Sequence, residues 1–275
     1  MEQEERCVRF DKDLGIEAYR FKGIMQKFPN HFHEHYVIGF IENGKRLLFC
    51  RNKEYIVGCG DLLLINPMDN HACEQLDQNT LDYRSINISR EVMEKAVKEI
   101  TGKAYLPNFI PTVAFQSEYV ILLRELHEAI MEECQDFRKE EAFYYLIEQL
   151  ITDFTNTHPQ VTKDVIPDEM KAICDYIDEH YTERITLEEI SSYLNINKYS
   201  MLRSFARQVG ITPYRYLETI RINKAKKLLE SGVSPLDAAM QAGFSDQSHF
   251  TNHFKEYIGL TPKQYQNIFK VDGEN

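Results

Sequence analysis

The chain has 275 residues, 43% of them hydrophobic and 27% charged, with a formal net charge of −11. This balance fits one or two globular domains with real cores. The opening MEQEER lacks the basic start and apolar run of a secretory signal, and the runs VIGFI, DLLLI and YVILL are too short to span a bilayer, so a cytoplasmic location without membrane contact is expected. The six cysteines are scattered with no CxxC pair, which argues for reduced thiols rather than a disulfide framework.

From about residue 7 to 90 the pattern is that of strands. HYVIGFI, KRLLFC, EYIV, DLLLI and YRSINIS are short apolar or alternating runs, separated by the turn signals ENGK, RNKE, GCGD, NPMDN and DQNT. Short strands at this spacing predict a small antiparallel barrel or sandwich. Within this region PNHFHEHYVIG sets His31, His33 and His35 at alternating positions, on one face if the segment is a strand. Further on, GDLLLINPMDNH presents Gly60, Asp61, Pro67 and His71.

After Ser89 the apolar spacing becomes three and four. REVMEKAVKEI, SEYVILLRELHEAIMEE and RKEEAFYYLIEQLITDF are predicted amphipathic helices. Their faces, Leu122, Leu126 and Ile130 in one and Leu146 and Leu150 in the next, suit either a dimer surface or an internal core. THPQVTKDVIPD reads as a linker, with two prolines and little apolar content.

From Asp168 onward the pattern is helical and contains a repeat. Phe205, Gly210, Thr212, Pro213 and Tyr216 recur 49 residues later as Phe254, Gly259, Thr261, Pro262 and Tyr265. Each copy has a capped short helix (Thr186 with Glu189; Ser234 before Pro235) and a tight turn (Leu194-Asn195-Ile196; Ala242-Gly243-Phe244). A second cap follows, Asn197 or Ser245, and opens a second helix. That helix buries Met201 and Phe205 in the first copy, Phe250 and Phe254 in the second, and ends at Gly210 or Gly259. This is the grammar of a helix-turn-helix DNA reader, whose second helix shows base edges a polar face. The residues expected at DNA are Lys198, Tyr199, Ser200, Arg203 and Arg207 in the first unit, and Gln247, Ser248, Thr251, Asn252 and Lys255 in the second. Between the units, Pro213 to Ser231 forms an apolar-striped strut of roughly 27 Å at 1.5 Å per residue. Residues 198–227 carry eight basic side chains against the single acid Glu218, +7 locally, so the acidic total does not exclude a nucleic-acid partner.

The segments ITLEEISSYLNINKYSMLRSFARQVGITPYRYLETIRINKAKKLL and AAMQAGFSDQSHFTNHFKEYIGLTPKQY resemble the DNA-binding domain of the AraC/XylS family over about 100 residues. Leu202 stands where the family often has a polar residue, a position from which it either touches a thymine methyl or packs. Asn195 replaces a common turn glycine and tolerates the left-handed geometry. The order HxH, then Gly-Asp, then P-x-x-x-H resembles the cupin-type sensor domain found in many such regulators.

The resemblance implies an α+β fold: an N-terminal cupin-like β-barrel with packed helices (1–158, effector sensing and dimerisation), a linker (159–167), and an all-α domain with two helix-turn-helix units (168–270). It implies a sequence-specific transcription regulator, not an enzyme, whose partners are double-stranded DNA, a small-molecule effector and a second copy of itself. The effector pocket is expected at His31, His33, His35, Tyr36 and His71, although the bland reading, barrel histidines satisfied by hydrogen bonds, stands beside it. No cofactor is expected. His31, His33 and His71 are the candidate metal ligands, but metal-binding cupins carry a glutamate where this chain has Val37 and Ile38, so the expected metal is none. The alternative reading is a cupin-type metalloenzyme with a helical appendage, which leaves the helical repeat unexplained.

Overall fold

The computed structural model describes residues 4–133, 136–156, 167–258 and 260–269. The chain divides into two compact units, Met1–Cys134 with Arg138–Thr162, and Gln135–Phe137 with Lys163–Asn275. Residues 157–166, which hold nearly all of the expected linker, lie outside the described residues.

The first unit is built from antiparallel strands and three helices. The strands are β1 (Glu5–Asp11), β2 (Ile16–Ile24), β3 (Phe28–His31), β4 (Tyr36–Asn43), β5 (Lys45–Cys50), β6 (Lys53–Gly58), β7 (Leu62–Ile65), β8 (His71–Gln75), β9 (Leu81–Ile88) and β10 (Val113–Ala114). They form a six-stranded sheet in the order β1-β2-β9-β4-β7-β10 and a four-stranded sheet in the order β3-β8-β5-β6. Ile41 bridges to Cys59, between the strands of the two sheets. The result is the expected barrel, with strands β1, β2, β3, β8 and β10 in addition to the five runs the alternation marks most clearly.

Helix α1 (Arg90–Thr101) lies between β9 and β10, and α2 (Tyr119–Met131) and α3 (Arg138–Phe154) follow β10. Alternation splits the six-stranded sheet into two buried faces. Even-numbered residues such as Ala18, Ile38, Phe40, Leu62, Leu64 and Ile86 are wholly buried, as are Leu123, Leu126, Leu146, Ile147 and Leu150 of the helices. Packing of α2 against β1, β2, β9 and α3 explains this double burial. Leu126, Ile130, Leu146 and Leu150 are therefore core of this unit rather than a free surface, while Leu122 is half-buried. Lys139 and Asp11 form a buried ion pair at 2.5 Å that ties α3 to the end of β1.

The second unit is all helical: α4 (Pro167–His180), α5 (Leu187–Leu194), α6 (Lys198–Val209), α7 (Pro213–Glu230), α8 (Pro235–Gln241), α9 (Gln247–Ile258) and α10 (Pro262–Ile268). The caps follow the sequence closely. Thr186 and Glu189 make the capping box of α5, Asn197 accepts from the backbone of Ser200, and Thr212, Ser234 and Thr261 each cap a helix that starts with proline. One cap moves: the side chain of Asp246, not Ser245, accepts from the backbone of His249 at 2.7 Å, and Ser245 only reaches Asp246. Reach is the physical reason, since the carboxylate one residue later spans the first turn of α9. Gly259, the expected stop of α9, lies outside the described residues.

Among the described residues no helix is long and apolar enough to cross a membrane. The five described cysteines, Cys7, Cys50, Cys59, Cys73 and Cys174, are free thiols.

Candidate functional site

The odd-numbered face of the six-stranded sheet looks inward, onto a cavity of about 330 Å³ between the two sheets. Tyr19 and Phe21 of β2, Val37 and Ile41 of β4, Leu63 and Ile65 of β7, and Leu81, Tyr83, Ser85 and Asn87 of β9 line it from one side. Phe28, His31, Arg46, Leu48, Val57, His71 and Cys73 line it from the four-stranded sheet. A mostly apolar wall with a few polar groups is the ordinary composition of a small-molecule site.

Gly39 lies on the cavity-facing parity of β4, and a Cβ there would stand 2.3 Å from the hydroxyl oxygen of Tyr83. The missing side chain thus makes room for that phenol, whose pKa is pushed up to about 12 by burial. Arg46 is wholly buried. Its guanidinium donates to the carbonyls of Ile24 (2.6 Å), Lys45 (2.8 Å) and Asn79 (3.3 Å), and burial lowers its pKa.

The histidines meet in this wall by a route other than the single strand considered from their alternation. His31 ends β3, His33 and His35 lie in the connection before β4, and His71 opens β8. Ring centroids are 4.7 Å apart for His31 and His33, 4.3 Å for His31 and His71, 5.1 Å for His33 and His71, and 4.8 Å for His33 and His35. Burial, and then the neighbouring His35, His71 and His31, push His33 down to about 4. Burial lowers His35 and His71 as well. These three rings therefore sit as neutral imidazoles near pH 7.

Tyr36 is a correction. It does not line the cavity but faces the other way, buried, with its hydroxyl donating to the carbonyl of Pro107 at 2.7 Å and its ring edge-on to Phe109. Its neighbour Val37 takes the cavity side, as the two-residue period of a strand requires. Alternation along β2 and β9 was the signal for the lining residues that motif reading missed: Tyr19 and Phe21, and Tyr83, Ser85 and Asn87, each fall on one parity.

In the second unit both turns form as the repeat predicts. Asn195 ends α5 in the left-handed region at φ 52°, ψ 44°. Gly243 follows α8 at φ 85°, and a Cβ there would lie 2.7 Å from the carbonyl oxygen of Tyr181, so no other residue fits without displacement. Met201 and Phe205 of α6, and Phe250 and Phe254 of α9, are wholly buried. Around the second turn, Phe250 and Phe254 pack with Ile222, Ala225 and Leu229 of α7, Ala238 and Ala239 of α8, and Tyr265.

On α9 the expected readers face outward: Gln247, Ser248, Asn252 and Lys255 are exposed and Thr251 is half-buried. On α6 the outcome is divided. Arg207 is exposed and Arg203 half-buried, but Tyr199 is 1% exposed and Ser200 8%. Tyr199 belongs to the core because the apolar arc of α6 is wider than the Met201–Phe205 pair, taking in Leu202 too, which packs and does not reach a groove. Ser200 sits inside the cap, its hydroxyl on the Asn197 side chain. Lys198 pairs with Glu188 at 3.2 Å.

The basic run is also partly used within the fold. Arg221 is buried and donates to the carbonyls of Tyr181 (2.7 Å) and Glu183 (3.0 Å), and Arg215 pairs with Glu256 at 2.9 Å. Arg207, Lys224 and Lys227 of the run are solvent-exposed, as is Lys255 on α9.

Comparison with known proteins agrees with both halves. A family model described as AraC-like ligand binding domain matches residues 13–147, and one described as helix-turn-helix domain matches 190–268. The chain is 56% identical over 249 residues to the uncharacterized HTH-type transcriptional regulator YbfI of Bacillus subtilis, covering 90% of each chain. It is 24% identical to the HTH-type transcriptional activator RhaS of Klebsiella pneumoniae, over 86% of each. Among solved structures, ToxT from Vibrio cholerae aligns with 93% of this chain and 97% of its own at 17% identity, with a TM-score of 0.35. The chain belongs to the AraC/XylS family of transcription regulators, with a ligand-binding domain of AraC-like type and a helix-turn-helix DNA-binding domain.

Proposed function

We propose that the barrel cavity receives the small-molecule effector and that α6 and α9 each enter the major groove of one duplex, in a cytoplasmic homodimer without catalytic activity. The observation that carries this reading is the two-sidedness of both second helices. Each buries an i, i+4 aromatic or methionine pair and turns hydrogen-bonding side chains outward, Arg203 and Arg207 on α6, Gln247, Ser248, Asn252 and Lys255 on α9. Arginine matches guanine, and asparagine or glutamine matches adenine, in the major groove. The 18 residues of α7 between the units span roughly 27 Å, against about 34 Å between successive major-groove faces. Effector in the cavity would act by favouring one arrangement of the DNA-binding domains over another. The regulator names of the relatives support a non-enzymatic role over the metalloenzyme alternative.

The test is selection of bound duplexes from a randomised pool, followed by anisotropy titration of the selected site. The expected result is a preferred site with two separated conserved segments and an affinity that falls steeply between about 50 and 200 mM salt. A flat salt response, or no sequence preference, overturns the reading.

A further inference from the structure

We propose that His31, His33 and His71 bind one divalent transition-metal ion in the cavity wall, through a three-nitrogen set that leaves a coordination position for the effector. That the ion takes part in sensing rests on the reading of the cavity given above; that it binds does not.

Three observations carry the proposal. The first is convergence. The three side chains come from the end of β3, the connection after it and the start of β8, yet their ligand atoms all lie within 4.8 Å of one another. Bonds of about 2.0–2.1 Å in a tetrahedral site put nitrogens roughly 3.4 Å apart, so small ring rotations close the observed spread.

The second is orientation. Nδ1 of His31 lies 2.6 Å from the carbonyl oxygen of Pro29, and Nδ1 of His71 lies 2.9 Å from that of Asp69. A carbonyl only accepts, so in both rings the proton belongs on Nδ1 and the lone pair on Nε2. A ring held through one nitrogen by a backbone carbonyl, with the other left as a base, is the outer-shell arrangement of a metal-ligating histidine.

The third is composition. The converging set is all imidazole. Imidazole nitrogens suit zinc, nickel, copper and iron, and three protein ligands leave an open position of the kind seen in reactive rather than purely structural sites. The set is not the carboxylate-containing one expected of metal-binding cupins, so the absence of a glutamate at Val37 and Ile38 does not exclude it.

A second convergence, Glu218 with His249 and His253 in the helical unit, is the natural competitor for added metal, and the experiment separates the two. Full-length untagged protein is stripped with chelator and titrated with Zn²⁺ by equilibrium dialysis, and with Co²⁺ by visible absorption. The expected result is one equivalent per chain. His31→Gln and His71→Gln should each weaken binding roughly ten-fold or more. His249→Gln, in the other cluster, should leave it unchanged. Far-UV circular dichroism checks each variant's fold, and His33→Gln serves as an independent ligand variant. Well under half an equivalent in the wild type, binding that survives the His31→Gln/His71→Gln double variant, or binding lost in His249→Gln overturns the proposal. Titration of the selected duplex runs in parallel. Wild type that binds metal but no DNA sinks the function reading alone, and protein that binds DNA but no metal sinks the metal site alone.

Discussion

Glu218 Oε1 lies 2.6 Å from His253 Nδ1, with both side chains buried, so the middle of α7 is tied directly to the inner side of α9. The same carboxylate accepts from the Tyr257 hydroxyl at 3.2 Å through its other oxygen. Removing His253 takes one partner from the buried carboxylate while Tyr257 and Arg215 (3.6 Å) remain, at a cost of about 1–3 kcal/mol. His253→Ala should lower the stability of the helical unit by about that much and weaken DNA binding without changing which bases are preferred. Urea unfolding followed by helical ellipticity checks it; an unchanged midpoint means the pair does not hold the reader in place.

Arg203 and Asn252 sit on the outer sides of different helices. Arg203→Ala and Asn252→Ala should each relax base preference in its own DNA segment, costing about 1–3 kcal/mol at the affected base pair. Binding-site selection with each variant decides this, and changes confined to one segment for both would contradict two separate readers.

Tyr199 should not read bases at all. Its hydroxyl is buried without a hydrogen-bond partner among the described residues. Tyr199→Phe should raise stability by about 1 kcal/mol, since an unsatisfied buried hydroxyl is costly, and leave the selected site unchanged. A shifted base preference would return Tyr199 to the interface.

His127 sets a pH dependence in the barrel unit. It is wholly buried on α2, with Nε2 2.9 Å from the Tyr19 carbonyl oxygen and Nδ1 unpartnered among the described residues. Burial lowers its pKa from 6.5 to about 4. The unfolded chain thus binds a proton that the folded one refuses. The stabilisation is complete above about pH 6.5 and is lost as pH falls toward 4, by at most about 3 kcal/mol. His127→Gln keeps a donor for Tyr19 and cannot charge, so its urea midpoint should vary less between pH 7 and 5 than that of the wild type. Parallel pH profiles would refute the assignment.

Gly39→Ala should drive the Tyr83 ring out of its place, because the new Cβ would stand 2.3 Å from the Tyr83 oxygen. Tyr83 lines the cavity, so a displaced ring changes the space available there. Once an effector is found, its affinity should drop by roughly ten-fold or more, about 1.4 kcal/mol, while the DNA site selected stays the same. An unaltered effector affinity would place the binding space elsewhere.

Much of the helical unit was legible from the chain alone, because its signals are local. Thr186 with Glu189, Asn197, Thr212-Pro213 and Thr261-Pro262 cap helices through atoms three residues away. Asn195 takes a left-handed turn that its own short side chain tolerates. The repeat at a spacing of 49 then set one unit beside another of the same plan. The five marked strands were legible for a similar reason, since alternation and turn residues act within a few positions.

What the tertiary structure decided is which side of an element meets what. All of Tyr36–Ile41 is buried, so hydrophobicity alone could not say that Val37 faces the cavity and Tyr36 the opposite side. That choice comes from covering one face of the sheet with helices and the other with a second sheet. Strand β8, HACEQ, carries almost no apolar pattern, and its pairing with β3 and β5 brings His71 to His31 and His33. In α6 and α7, Tyr199, Glu218 and Arg221 look polar in the chain but are enclosed. A side chain's polarity is local, whereas its solvation depends on neighbours distant in sequence, and those neighbours exist only once the chain has folded.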